Sequence, residues 1–136
     1  MLNSIGECHH IKEYTNIIAN KSCYHSQGLL NLFAQFKFIY VSENTVTDGY
    51  ITEKIFNSFF SRTIPLYFGP SNTSRYFNKN TYIDMSNDHK TIINNINTLK
   101  TNEKEYNNII NTDKINIELN TENYKEICNN FINKII

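Results

Sequence analysis

The sequence predicts an α/β domain built on a parallel sheet with helices on both faces. Three observations predict it. Short apolar runs at 38–41 and 64–68 are bounded by polar residues, as buried strands are. The stretches between and after them repeat apolar residues at helical spacing. Strands alternating with helices, without a Gly-rich linker or an internal repeat, imply parallel strands joined by crossover helices. The 136 residues are taken as one domain, 1–136, with closing helices from about residue 88. A chain of that length buries roughly two thirds of its unfolded surface without staples.

Element by element, Leu2 to Ile5 reads as a short strand ending at Gly6. Ser26 to Phe36 carries Leu29, Leu30, Leu32, Phe33 and Phe36 on one helical face. Phe38 to Val41 is a buried strand. From Glu53 a helix presents Ile55, Phe56, Phe59 and Phe60, with Thr52 placed to cap it. Ile64 to Phe68 is the next strand, with Pro65 near its start, where a missing N–H is tolerable. Ser71 to Phe77 forms a short helix or turn, and Thr81 to Met85 a third strand. Beyond Asp88, Ile92, Ile93, Ile96 and Leu99 mark one helix, and Tyr106, Ile109 and Ile110 a second. Tyr124, Ile127, Cys128, Phe131, Ile132 and Ile135 mark a third.

Composition narrows the function. Net charge is zero, charged residues are 19%, and the basic residues are scattered, which argues against a nucleic-acid-binding stripe. The 23 Asn, 20 Ile and 11 Lys against 2 Arg are read as codon bias, because the Asn are dispersed among apolar periodic positions. No apolar run approaches the ~18 residues of a membrane span, and the N-terminus has no basic flank with an apolar stretch. A soluble, cytoplasmic chain as written is therefore expected, with no membrane segment. Cys8, Cys23 and Cys128 imply no disulfide framework. The sequons at Asn20 and Asn72 are expected by chance in so Asn-rich a chain. The spacing of Cys8, His9, His10, Cys23 and His25 matches no standard zinc pattern, and no context activates Cys23 or Cys128 as a nucleophile.

Segment 38–69, FIYVSENTVTDGYITEKIFNSFFSRTIPLYFG, carries the chemistry. In an open parallel sheet ligands sit beyond the carboxyl ends of the strands, here the loop Ser42 to Tyr50. The amides of a helix starting at Thr52 to Lys54 carry partial positive charge, and Lys54 adds a full one, which suits a diphosphate. Glu53 is better placed for sugar or ribose hydroxyls, or to oppose positive charge in a transition state. Charge placement alone also allows the plainer reading, a helix-start carboxylate beside a solvated lysine.

The order of motifs goes further. Asn3-Ser4-Ile5-Gly6-Glu7-Cys8, Glu43-Asn44-Thr45, Tyr50-Ile51-Thr52-Glu53-Lys54-Ile55 and Ile64-Pro65-Leu66-Tyr67-Phe68-Gly69 follow one another at sensible spacing. Together they resemble the signature of the α-1,3-fucosyltransferases, glycosyltransferase family 10. Phe77 and Tyr82-Ile83-Asp84 fall where that family has a Phe-x-Pro-x-Ser-Phe-Ile element, with Asn78 to Thr81 replacing its proline and serine. The resemblance covers most of residues 3 to 85.

The resemblance implies a Rossmann-like donor domain, the C-terminal half of a two-domain GT-B enzyme, that binds GDP-fucose. It implies an inverting transfer of fucose to a sugar hydroxyl of a glycan acceptor, with no metal and no cofactor besides the donor substrate. Glu43, Asn44, Tyr50, Thr52, Glu53 and Lys54 would form the substrate site. Among them Lys54 would neutralise the diphosphate, and Glu53 would contact the fucose and act as the catalytic carboxylate. The family's acceptor domain, its general base and its phosphate-binding Arg have no counterpart here, and neither Arg62 nor Arg75 fills the last position. The expectation is therefore a donor half completed by a separate acceptor-domain chain, a truncated half-enzyme, or a non-catalytic nucleotide-sugar-binding module. The family's relatives are often Golgi-membrane proteins.

Overall fold

The structure, a computed structural model, describes residues 27–116. In chain order these form α1 (Gln27–Phe33), β1 (Phe38–Ser42), α2 (Glu53–Phe60), β2 (Ile64–Phe68), a 3-10 turn at Thr73–Arg75, β3 (Ile83–Asp84), α3 (His89–Thr101) and α4 (Glu103–Asn111). The strands make a parallel sheet in the order β1-β2-β3. Phe38 pairs with Ile64 and Ser42 with Phe68, so β1 and β2 end at the same level.

Strand parity divides the core in two. Ile39, Val41 and Tyr67 point to one face, where they pack with Ile55 of α2, Phe77 and Tyr82. Phe38, Ile64 and Leu66 point to the other, against Ile92 and Leu99 of α3 and Ile110 of α4. Helices thus cover both faces, as the sequence predicts. Asp88 starts α3 by accepting from the Thr91 amide at 3.0 Å, and Asn102 starts α4 by accepting from the Glu105 amide at 3.1 Å. The end of α2 is closed by Arg62 at φ 56°, with the Thr63 amide donating back to Ser58 O and the Arg62 amide to Phe59 O.

Three elements differ from expectation. The third strand keeps only Ile83–Asp84, because the Thr81 amide and hydroxyl both donate to Asn78 O at 2.9 and 2.7 Å, which commits Thr81 to a turn. The first helix stops at Phe33, and the amides of Gln35 and Phe36 tighten into turn bonds to Leu32 and Phe33. Thr52 occupies the N-cap of α2 but makes no capping hydrogen bond. The expected strand at Leu2–Ile5 and helix at Tyr124–Ile135 lie outside the described residues. No helix among the described residues is long and apolar enough to cross a membrane.

Candidate functional site

The site grows from the carboxyl end of β1. The Glu43 amide donates to Phe68 O at 2.9 Å, so the β1–β2 ladder runs one residue past the strand. Two residues beyond Val41, Glu43 shares its parity and turns under the first turn of α2. There its side chain is fully buried. Oε1 accepts from the Thr52 amide and the Tyr67 hydroxyl, both at 3.0 Å. Oε2 accepts from the Thr52 hydroxyl at 2.7 Å and from Lys54 Nζ at 3.4 Å. Four donors fill a carboxylate's capacity.

Burial alone would raise the Glu43 pKa. The Thr52 hydroxyl and amide, the Tyr67 hydroxyl and the Lys54 charge together outweigh it and hold the group below its ordinary 4.5. The Tyr67 hydroxyl moves the other way: burial first, then the Glu43 charge, push its pKa well up. Glu43 is thus an anion at neutral pH and Tyr67 a neutral donor to it.

The bond from Thr52 to Glu43 explains the missing cap. An N-cap threonine normally accepts from the second or third amide of its helix. Here the hydroxyl is turned inward to Glu43, so the first amides of α2 receive no side-chain acceptor from it. Lys54 stands over the same helix start with its side chain 30% exposed. Its ammonium donates to Asn44 Oδ1 at 2.9 Å and to Glu43, leaving one of three hydrogens without a partner among the described residues. Among the described residues no hydrogen bond or ion pair engages the half-buried Glu53 carboxylate or the Tyr50 hydroxyl. Tyr50 is 40% exposed. Of the six sequence-predicted residues, Glu43, Asn44, Thr52 and Lys54 form one bonded cluster, and Tyr50 and Glu53 flank it without joining it.

The loop is also held from outside. Ser71 Oγ donates to Asp48 Oδ1 at 3.2 Å, and the Gly49 amide donates to Asn72 Oδ1 at 3.2 Å. Gly49 takes φ +78°, and the Tyr50 amide closes a turn onto Thr47 O at 2.9 Å. Sequence reasoning placed neither Tyr67 nor Ser71 and Asn72 in the site. A signal for Tyr67 existed: Glu43 and Tyr67 sit on adjacent parallel strands at the parity of the α2 face, where a buried carboxylate needs a donor. Nothing local marks Ser71 and Asn72, whose partners are 23 residues away.

Other concavities and clusters lie elsewhere. An open groove of about 440 Å³, lined by Phe56, Phe59, Phe60, Asp113, Lys114 and Ile115, follows the C-terminal half of α2, away from Lys54. Among the described residues no group of three or more His, Cys, Asp or Glu could hold a metal ion. Cys8, His9, His10, Cys23 and His25 fall outside the described residues.

Comparison with known proteins identifies the family and the fold. The family model "Glycosyltransferase family 10 (fucosyltransferase) C-term" matches residues 1–132. The chain is 31% identical over 108 residues to GDP-fucose protein O-fucosyltransferase 3 of Gallus gallus, covering 77% of this chain and 23% of that protein. It is 34% identical over 68 residues to alpha-(1,3)-fucosyltransferase FucT of Helicobacter pylori, covering 50% of this chain and 14% of that one. A crystal structure of an alpha1,3-fucosyltransferase with GDP-fucose superposes with a TM-score of 0.62 at 29% identity, over 67% of this chain and 28% of that one. The chain thus spans between 14% and 28% of these relatives' length. By its sequence and its α/β fold, this chain belongs to glycosyltransferase family 10, the fucosyltransferases, and corresponds to the family's C-terminal part.

Proposed function

We propose that the chain binds GDP-fucose and supplies the donor side of fucose transfer, with inversion, to a sugar hydroxyl of a glycan acceptor. One observation carries the proposal: an ammonium with an open hydrogen, Lys54, stands at a helix start whose amides are left uncapped. A diphosphate placed there meets both. The relative crystallised with GDP-fucose and the GDP-fucose-named relatives support the nucleotide sugar as the donor.

In this reading the acceptor oxygen attacks the anomeric carbon of fucose from the face opposite the diphosphate. The bond from that carbon to the phosphate oxygen breaks, and its electron pair leaves with GDP. Lys54 and the first amides of α2 meet the charge that builds on the diphosphate. Glu53, whose carboxylate no described group engages, faces the sugar and opposes the positive charge that develops at its ring. Asn44 and Tyr50 line the nucleotide-sugar pocket. The acceptor's proton passes to a base that this site does not supply, because Asp48 is bound to Ser71 and belongs to the loop's own support. A separate acceptor-binding domain or chain completes the reaction.

A second reading is a donor-binding module without turnover, favoured because the described site offers a lysine and a helix start for a diphosphate but no assigned base for the acceptor. Calorimetry with GDP-fucose, run beside a fucose-transfer assay, separates the two. Binding with transfer supports the enzyme, binding without transfer supports the module, and absence of binding overturns both.

A further inference from the structure

We infer that Glu43 is a positioning residue that keeps the start of α2 open for an anion by drawing the Thr52 hydroxyl away from the helix amides, while it holds Lys54 beside them. The inference rests on the proposed diphosphate site and assigns Glu43 work other than contact with the ligand.

Geometry carries the argument. A substrate-contacting carboxylate presents at least one open lone pair, but the Glu43 side chain is fully buried and accepts from Thr52 twice, from Tyr67 and from Lys54. Thr52 sits at the N-cap with the extended backbone that a capping threonine adopts, φ −114° and ψ −176°, yet makes no cap bond. Its hydroxyl has a single hydrogen, and that hydrogen goes to Oε2 at 2.7 Å. Capping would use a lone pair of the same oxygen rather than its hydrogen, so the charge-assisted bond to Oε2 acts through the direction in which it holds the hydroxyl, turned from the helix amides. The two other helices whose caps are described, α3 and α4, start on Asp88 and Asn102 side chains that do accept from the helix. The start of α2 thus differs from those of α3 and α4.

Lys54 shows the second half of the arrangement. Its ammonium is aimed by Glu43 Oε2 and Asn44 Oδ1. The Glu43 charge also offsets part of the lysine's when no anion is present. Tyr67 locks the far oxygen, so the carboxylate cannot rotate toward the loop surface.

The test uses the full chain and the variant Glu43→Met/Tyr67→Phe, which removes the carboxylate and its buried partner together, so that neither is orphaned. Backbone amide exchange by NMR is the readout that a merely structural role would not move. The Thr52 amide is expected to exchange about tenfold faster, because its acceptor is gone. Lys54 and Ile55 amides are expected to exchange more slowly, because the freed hydroxyl now caps the helix. Affinity for GDP, measured by calorimetry, is expected to fall about tenfold.

Faster exchange at Thr52, Lys54 and Ile55 alike overturns the inference, as does GDP affinity equal to wild type. Should the wild-type chain bind no GDP, the proposed function falls, and the opposite movement of the amides still decides what Glu43 does. Where the double variant does not fold, Glu43→Gln keeps the volume and an acceptor for the Thr52 amide but offers Lys54 no charge. It is expected to lose about threefold or more in GDP affinity with Thr52 protection retained. Unchanged affinity or a fully unprotected Thr52 in that variant overturns the inference.

Discussion

A Cβ on Gly69 would lie 2.5 Å from Cε1, Cζ and Oη of Tyr67, so the glycine that follows β2 is what leaves room for the Tyr67 ring beneath the signature loop. The constraint is steric and not one of backbone angle, since Gly69 does not take a positive φ. Tyr67 uses that space to place its hydroxyl 3.0 Å from Glu43 Oε1. Phe68 O, in the residue between, accepts from the Glu43 amide. One short stretch therefore fixes both the backbone and the side chain of Glu43.

Gly69→Ala is expected to cost about 1–3 kcal/mol, because the ring must leave its place in a packed cluster with Val41, Ile55 and Tyr82. Urea denaturation measures it. Tyr67→Phe in the same background recovers only part of the loss, since two of the three close atoms are ring carbons. Full recovery would show that the hydroxyl alone collides.

Lys54→Ala is expected to weaken GDP binding by about 1–3 kcal/mol, the worth of a charge-assisted contact to phosphate. Calorimetry at two salt concentrations checks it. The wild-type affinity should fall with added salt and the variant's should fall less, because the lysine side chain is partly exposed and screened. An affinity that does not change on substitution refutes the phosphate role.

These relationships differ in how far the sequence announces them. The strand-loop-helix-strand order, the sheet with two helical layers and the motif that names the family are all local in sequence. Apolar runs, helical spacing and the Tyr50 to Ile55 signature suffice to read them. Residue types also placed Asn44, Thr52 and Lys54 together, as the structure does. The bonding of Glu43 was not legible, because it depends on which neighbour claims which lone pair. A carboxylate at the end of β1 reads as a ligand contact, and nothing local shows that Tyr67, 24 residues on, also bonds it. Thr52 was misread as a cap for the same reason: its propensity favours capping, and a buried anion across the loop overrides it. Thr81 failed as a strand residue because a bond to Asn78, three residues back, competes with the sheet.

Glu53→Ala separates the sugar from the nucleotide. If Glu53 faces the fucose, the variant should keep its affinity for GDP within about twofold while losing the difference between GDP-fucose and GDP. Competition calorimetry with the two ligands measures that difference without needing a complete enzyme. An equal loss for both ligands would place Glu53 on the nucleotide or in the support of α2 instead.

Acid and alkali should each weaken the domain through identified groups. The Glu43 pKa is depressed in the fold. Its stabilisation is therefore fully present above the ordinary value of 4.5 and is lost as pH falls through the folded value. Tyr82 is raised to about 12 by burial and then by the Asp84 charge, and Tyr67 is raised as well. A raised pKa stabilises fully below the unfolded value, which is 10.0 for tyrosine, and that stability is lost as pH rises through the folded one. Unfolding free energy should therefore be flat near neutrality, fall below about pH 4.5 and fall again above about pH 10. Tyr82→Phe should make the alkaline limb shallower, with the Tyr67 part remaining, and leave the acid limb unchanged. Glu43→Gln should do the reverse, removing most of the acid limb at the cost of lower stability at pH 7. Denaturation curves across pH on the three proteins check both assignments, and an acid limb that persists in Glu43→Gln would shift the acid response to Asp88, whose carboxylate is held below its ordinary value by the Thr91 hydroxyl and amide.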